Sequence, residues 1–128
     1  MIDTIALWHE IAKSRQPARL SEILAEDATL VSPVVFTPQR GKAITQKYLT
    51  AAMHVFFNPK FKYVREFRGD HAAVLEFETE VDGKYVNGVD MISWNDEGLI
   101  TEFRVMLRPL QAVNTIHQMM GAKLETLS

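Results

Sequence analysis

One carboxyl group stands alone on an apolar strand face. The run Tyr85-Val86-Asn87-Gly88-Val89-Asp90-Met91-Ile92-Ser93-Trp94 reads as a β-strand. Strand side chains alternate between faces, so Val86, Asp90, Ile92 and Trp94 share one side. Asp90 is the one ionisable group among them. Burying an unpaired carboxylate is costly, so such a group takes up its proton or finds a partner. A carboxyl held in apolar surroundings is also a device for acid–base chemistry, and desolvation raises its pKa. The plainer alternative is an aspartate at a sheet margin, hydrogen-bonded to backbone.

The remaining candidates are weaker. His9, His54, His71 and His117 have no metal-binding spacing, and no metal site is expected. His54 falls off the apolar stripe of its helix, His71 falls in a turn, and His9 and His117 flank apolar stripes at the edge of the core. Glu76, Glu78 and Glu80 share one strand face, opposite Leu75 and Phe77. A solvated outer face with cross-strand or cross-subunit ion pairs accounts for them, with Glu102, Arg104 and Arg108 on the matching face of the last strand. The sequence contains no glycine-rich phosphate loop, no Walker sequence, no nucleophile elbow and no dinucleotide fingerprint. No cofactor is expected.

Composition narrows the class. A chain of 128 residues fits a single domain over 1–128 with a sizeable core. Hydrophobic residues make up 47% and charged residues 23%, as in ordinary soluble globular proteins. The net charge of -2 provides no basic field for nucleic acid or an anionic membrane. With no cysteine, disulfides, thiol nucleophiles and thiolate metal sites are excluded, and the chain fits a reducing cytoplasm. Met1-Ile2-Asp3-Thr4 lacks the basic start of a signal peptide, and no segment has the length of a membrane span.

The elements that must hold Asp90 follow from periodicity. Ile5, Trp8, Ile11 and Ala12 form a helical stripe with Asp3 or Thr4 as cap. Pro17 opens a second helix that buries Leu20, Ile23 and Leu24 and carries Glu26 and Asp27 near its end. Ala28–Ser32 reads as a short strand, and Pro33 and Pro38 flank a loop that contains Phe36. Gly41 precedes a third helix with Ile44, Tyr48, Ala51, Ala52, Val55 and Phe56 on its apolar side. Strands follow: Phe61, Tyr63 and Phe67 alternate with Lys62 and Glu66, and His71–Val81 leads through Asp82-Gly83 into the Asp90 strand. Leu99–Leu107 is the last strand, and a C-terminal helix carries Val113, Ile116, Met120 and Leu124. Helices followed by an antiparallel meander predict an α+β fold.

The order of these motifs resembles a known family. Glu26-Asp27-Ala28-Thr29-Leu30-Val31-Ser32-Pro33, then Gly41-Lys42-Ala43-Ile44, then Gly88-Val89-Asp90, then Asp96-Glu97-Gly98-Leu99-Ile100, then Val105-Met106-Leu107-Arg108-Pro109 resembles the nuclear transport factor 2-like superfamily, closest to its SnoaL-like, polyketide cyclase-related branch. The resemblance covers nearly the whole chain. It implies a cone-shaped α+β barrel, a curved antiparallel sheet wrapped on three N-terminal helices with a C-terminal helix. It also implies a deep apolar pocket and frequent dimerisation through the open sheet face, here a homodimer.

Fold does not fix chemistry, and the family hosts many functions. Its ketosteroid isomerases use a base aspartate, a first-helix tyrosine and a protonated strand aspartate. In this chain those positions fall on Ser32, Trp8 and Asp90, so one of the three is kept. Serine cannot abstract a carbon-bound proton unaided, and indole only donates. Ketosteroid isomerase activity is therefore not expected. Limonene-epoxide hydrolase relatives place an arginine two residues before the aspartate, where this chain has Gly88. SnoaL-type cyclases use a pocket carboxylate for intramolecular aldol closure, a role open to Asp90.

The resulting expectation is a pocket for a small apolar organic ligand, with no nucleic-acid or membrane partner. Asp90 would be the catalytic acid–base of a cofactor-free isomerase, cyclase or dehydratase. Trp8, Ser32 and Tyr48 would orient substrate, Phe36 would line the mouth, and Trp94 would share the apolar wall. The alternative is a non-catalytic ligand-binding or dimerisation module with Asp90 structural.

Overall fold

A computed structural model describes residues 3–127, so the Met1-Ile2 start lies outside the described residues. Helix α1 spans Thr4–Ser14 and buries Ile5, Trp8 and Ile11. Asp3 caps it by accepting the Ala6 N–H at 3.0 Å, and Arg15 ends it in the left-handed conformation (φ 53°). A short 3-10 helix, Pro17–Glu22, follows. Strand β1 is Leu24–Val31 and β2 is Gln39–Arg40. Helix α2, Lys42–Phe56, precedes the meander β3 Lys62–Arg68, β4 Ala72–Val81, β5 Lys84–Trp94 and β6 Ile100–Arg108. Helix α3, Leu110–Thr126, closes the described chain.

The strand order is β2-β1-β6-β5-β4-β3. The meander is antiparallel, but β1 runs parallel to β6, so the sheet is mixed. It stays open, with β2 and β3 as its edges, and does not close into a barrel. The α+β class and the order of the longer helices and strands are as the sequence predicts, and the two-residue edge strand β2 is additional. The second helix is the main local difference: it is a single 3-10 segment, and Leu24, Glu26 and Asp27 belong to β1. Sheet hydrogen bonds capture this stretch. The Ile100 N–H donates to the Ile23 carbonyl at 2.7 Å, and Leu24 pairs with Ile100.

Strand parity holds along β4 and β5, where buried and half-buried residues alternate. Asp82 and Gly83 both have positive φ, 52° and 75°, as a two-residue hairpin turn requires. In β3 a register shift between Tyr63 and Arg65 flips the parity. Tyr63 therefore faces inward opposite Phe77, whereas Phe67 turns outward and is 62% exposed. Outward on the sheet, the carboxylates find partners: Arg65–Glu76 bridges strands at 2.7 Å, and Glu102 pairs with Arg104 at 2.8 Å.

Two apolar clusters fill the helix side of the sheet. One gathers Trp8, Ile11, Leu20, Leu49, Leu75 and Phe103. The other gathers Val55, Phe56, Phe77, Val86 and Ile116. Gly88 sets the packing of the second cluster against β5. A Cβ at Gly88 would lie 2.5 Å from Phe77 Cζ, 2.7 Å from Leu107 Cδ2 and 2.8 Å from the Met106 carbonyl oxygen. The two side chains could shift, but the backbone oxygen is fixed in β6. Gly88→Ala should lower stability by roughly 1–3 kcal/mol, the usual cost of overpacking. Urea denaturation of the two proteins measures it, and an unchanged midpoint would show that Phe77 is not held against Gly88.

Candidate acid–base pocket

Asp90 sits in the middle of β5, opposite Leu75 of β4 and Val105 of β6. It is 6% exposed. Its Oδ2 accepts the Tyr63 hydroxyl at 2.7 Å, and the Tyr63 oxygen accepts the Trp8 indole N–H at 2.9 Å. Three elements thus converge on one hydrogen-bonded chain: α1 supplies Trp8, β3 supplies Tyr63 and β5 supplies Asp90. Packing fixes the rings. Trp8 is tilted against Phe103 at a centroid distance of 4.9 Å, and the Tyr63 ring stands edge-on to Phe61 at 5.0 Å.

The electrostatics follow from that burial. Desolvation raises the Asp90 pKa from the ordinary 3.8 to about 7, while the hydrogen bond from Tyr63 pulls it down. Burial and the neighbouring Asp90 carboxylate push the Tyr63 phenol well above 10, which keeps its proton in place. Outside Tyr63, His9 stacks edge-on at 5.2 Å and its Nε2 meets Glu66 Oε1 at 2.8 Å. The His9 hydrogen bond, helped by Arg68, holds the Glu66 carboxyl below its usual range.

Asp90 opens on a cavity of about 60 Å³ on the seam between the two apolar clusters. Trp8, Ser32, Tyr48 and Asp90 all line it, so the structure brings these four together. The Trp8 nitrogen is already committed to Tyr63. Ser32 Oγ accepts the Val34 and Val35 N–H groups at 3.1 and 3.3 Å and so shapes the loop after β1. The other two expected residues lie elsewhere. Phe36 is 100% exposed at the tip of that loop, because Pro33 and Val34, not Phe36, turn inward to the cavity. Trp94 packs on the first cluster at the far end of β5, where it pairs with Ile100. Tyr63 is the residue that sequence reasoning did not select. Its inward parity beside Phe61 was the available signal, but nothing in the spacing of β3 connects it to a strand two places away.

No family model and no curated protein sequence matches the chain. Among solved structures, a steroid delta-isomerase from Pseudomonas aeruginosa is 31% identical with a TM-score of 0.92, over 97% of this chain and 90% of that one. An uncharacterized bacterial protein with a cystatin-like fold from Silicibacter pomeroyi is 29% identical with a TM-score of 0.89, over 98% and 88%. A Jannaschia protein assigned to the SnoaL-like polyketide cyclases shares the fold at 12% identity, with a TM-score of 0.69 over 90% of each chain. The chain belongs to the nuclear transport factor 2-like superfamily, a class of curved-sheet pocket folds that includes isomerase and cyclase structures.

The raised Asp90 pKa has a consequence for stability. Below pH ~4 Asp90 is protonated in both the folded and the unfolded chain. Between pH ~4 and ~7 the unfolded chain releases the proton and the folded protein keeps it, so stability falls as pH rises through that window and then levels off. Three units correspond to roughly 4 kcal/mol. Asp90→Asn should therefore be the more stable protein at pH 8, by about 2–4 kcal/mol, and nearly equal to the parent at pH 4. Urea unfolding at both pH values, with an NMR titration of the Asp90 carboxyl, checks this. A titration midpoint near 4 would refute it.

Proposed function

We propose that this protein binds a small apolar organic molecule beside Asp90 and moves a proton on it without a cofactor. The observation that carries the reading is one carboxyl, poised near neutrality, facing an otherwise apolar cavity. At pH 7 both of its forms are populated. The carboxylate takes a proton from the carbon beside a substrate carbonyl while Tyr63 holds Oδ2, and the electron pair moves onto the carbonyl oxygen as an enolate. Asp90 then returns the same proton at another carbon, which gives isomerisation. Alternatively the enolate carbon attacks a second carbonyl, whose oxygen takes the proton back from Asp90, which gives ring closure. Or the enolate expels a β-hydroxyl, which takes that proton and leaves as water, which gives dehydration. The likeness to isomerase and cyclase structures supports this range of chemistry.

Dedicated ketosteroid isomerisation is outside the proposal. Ser32 stands where the resemblance puts the base, and its oxygen is engaged by two backbone N–H groups. A cavity of about 60 Å³ is also far below the ~300 Å³ at which drug-sized sites begin. The ligand is accordingly a small one, or the Pro33–Pro38 loop moves to admit it. The tie between Tyr63 and Asp90 favours one second reading, a non-catalytic binding module in which that pair is structural.

Exchange of carbon-bound protons separates the two. In deuterated buffer, small enolisable ketones and enones should incorporate deuterium faster with the protein, and Asp90→Asn should lower that rate by about 10²–10⁴-fold. NMR of the substrate reads it directly. Binding without exchange would leave the non-catalytic reading. A Δ5-3-ketosteroid should turn over far below the rate of a dedicated isomerase.

We further propose a homodimer through the outer sheet face, in a cytoplasmic protein. That face presents Val89 and Met91 on β5 and a 51% exposed Met106 on β6, among the Glu102–Arg104 and Arg65–Glu76 pairs. Long apolar groups between paired charges suit a two-fold contact in which the same patch meets itself. Sedimentation equilibrium at micromolar concentration should give a dimer for the parent and a monomer for Met106→Glu. A monomeric parent would end the proposal.

A further inference from the structure

A second, larger opening lies behind Tyr63. Its volume is about 370 Å³, within the ~300–1,000 Å³ range of small-molecule sites, whereas the Asp90 cavity is about 60 Å³. Phe57 and Phe61 line both spaces and so form the wall between them. Their rings meet at 4.5 Å, and Phe61 meets Tyr63 at 5.0 Å, which makes a continuous aromatic floor.

The rim of this cleft is cationic. Lys13, Arg15 and Lys62 line it, and no carboxylate among the described residues does. That is the reverse of the chain as a whole, in which acids outnumber lysines and arginines. Arg15 is fixed in place. It ends α1 in a left-handed conformation, and its guanidinium donates to the carbonyls of Phe57 at 3.0 Å and Asn58 at 3.3 Å. Those bonds go to neutral carbonyls, and among the described residues no carboxylate forms an ion pair with it. Lys13 and Lys62 make no ion pair among the described residues. The register partner of Lys62 is Glu78, whose carboxylate accepts the Tyr85 hydroxyl instead. His9, the other ionisable group of the wall beside Tyr63, is occupied by Glu66.

We propose that this cleft is a binding site for a small organic anion, with an apolar or aromatic body lying on Phe57 and Phe61 and a carboxylate held by Lys13, Arg15 and Lys62. An aromatic floor with a cationic rim fits both ends of such a molecule. The site stands apart from the Asp90 cavity, and the proton-transfer reading can fail without it.

The test uses the whole chain, with 4-phenylbutyrate, the neutral 4-phenylbutanol and inorganic phosphate as probes. Amide-shift NMR titration should show saturable binding of 4-phenylbutyrate below about 1 mM, with shifts confined to residues 9–15 and 57–63. The alcohol and phosphate should each bind at least about tenfold more weakly, since each lacks one half of the recognised chemistry. Lys13→Gln combined with Lys62→Gln should weaken 4-phenylbutyrate about tenfold or more. Both lysines are exposed, so the fold tolerates their loss. Equal binding of the alcohol, an unchanged affinity in the double variant, shifts centred on Asp90, or no saturable binding would each overturn the proposal. Phosphate binding as tightly as 4-phenylbutyrate would overturn the role of the aromatic floor.

Discussion

An indole N–H can donate a hydrogen bond and cannot accept one. Much of the interior of this protein is organised around that asymmetry. Trp8 must donate, so the Tyr63 oxygen accepts, and the Tyr63 proton then turns to Asp90. The direction of the whole chain is set at one end. Each bond lies where an unmade partner would be costly, because buried polar groups lose their water without compensation. No buried side-chain nitrogen or oxygen among the described residues lacks a partner. The arrangement holds only if α1, β3 and β5 meet within hydrogen-bond reach. It therefore constrains the placement of the first helix on the sheet, together with the apolar packing of Ile5, Trp8 and Ile11.

The rest of the interior serves that meeting point. Gly88 lets the Phe77 ring lie close over β5, and Phe77 in turn sits edge-on to Tyr63 at 6.3 Å. The register shift in β3 leaves Tyr63 inward while releasing Phe67 to the outer face. The two apolar clusters meet beside Asp90 without filling the space, and the cavity is what remains. Burial of an ionisable group works against folding at neutral pH. Retaining a carboxyl there gives up stability that an amide would recover, and a functional role is the kind of reason that sustains such a trade.

The legible part of this structure was the part governed by local periodicity. The alternation along β4 and β5 placed Asp90 inward, the Asp82-Gly83 hairpin fixed the register of those strands, and the helical stripe put Trp8 inside. What local pattern could not carry was set by distant partners. Leu24 has a helical neighbourhood in sequence, but Ile100 draws it into the sheet. Tyr63 reads as one aromatic among many, and its bond to Asp90 crosses β4. Phe36 is apolar and flanked by prolines, which suggests a pocket wall, yet the loop geometry held by Ser32 leaves it in solvent.

Trp8 also decides what the pocket can do. A tyrosine at that position could turn its hydroxyl toward a ligand, and a second donor on the same oxygen would make a site for a developing oxyanion. Trp8 has no such freedom, and its presence commits the Tyr63 proton to Asp90. The cavity is left with one carboxyl group, that of Asp90. Tyr48 and Ser32 at its wall carry only hydroxyls, and the rest of the lining is apolar. A site with one carboxyl of intermediate acidity suits reactions in which a proton leaves and returns through the same group. It does not suit reactions that need an acid and a base at once. That distinction separates this pocket from the two-donor arrangement of the ketosteroid isomerases its sequence resembles, although the fold around it is shared.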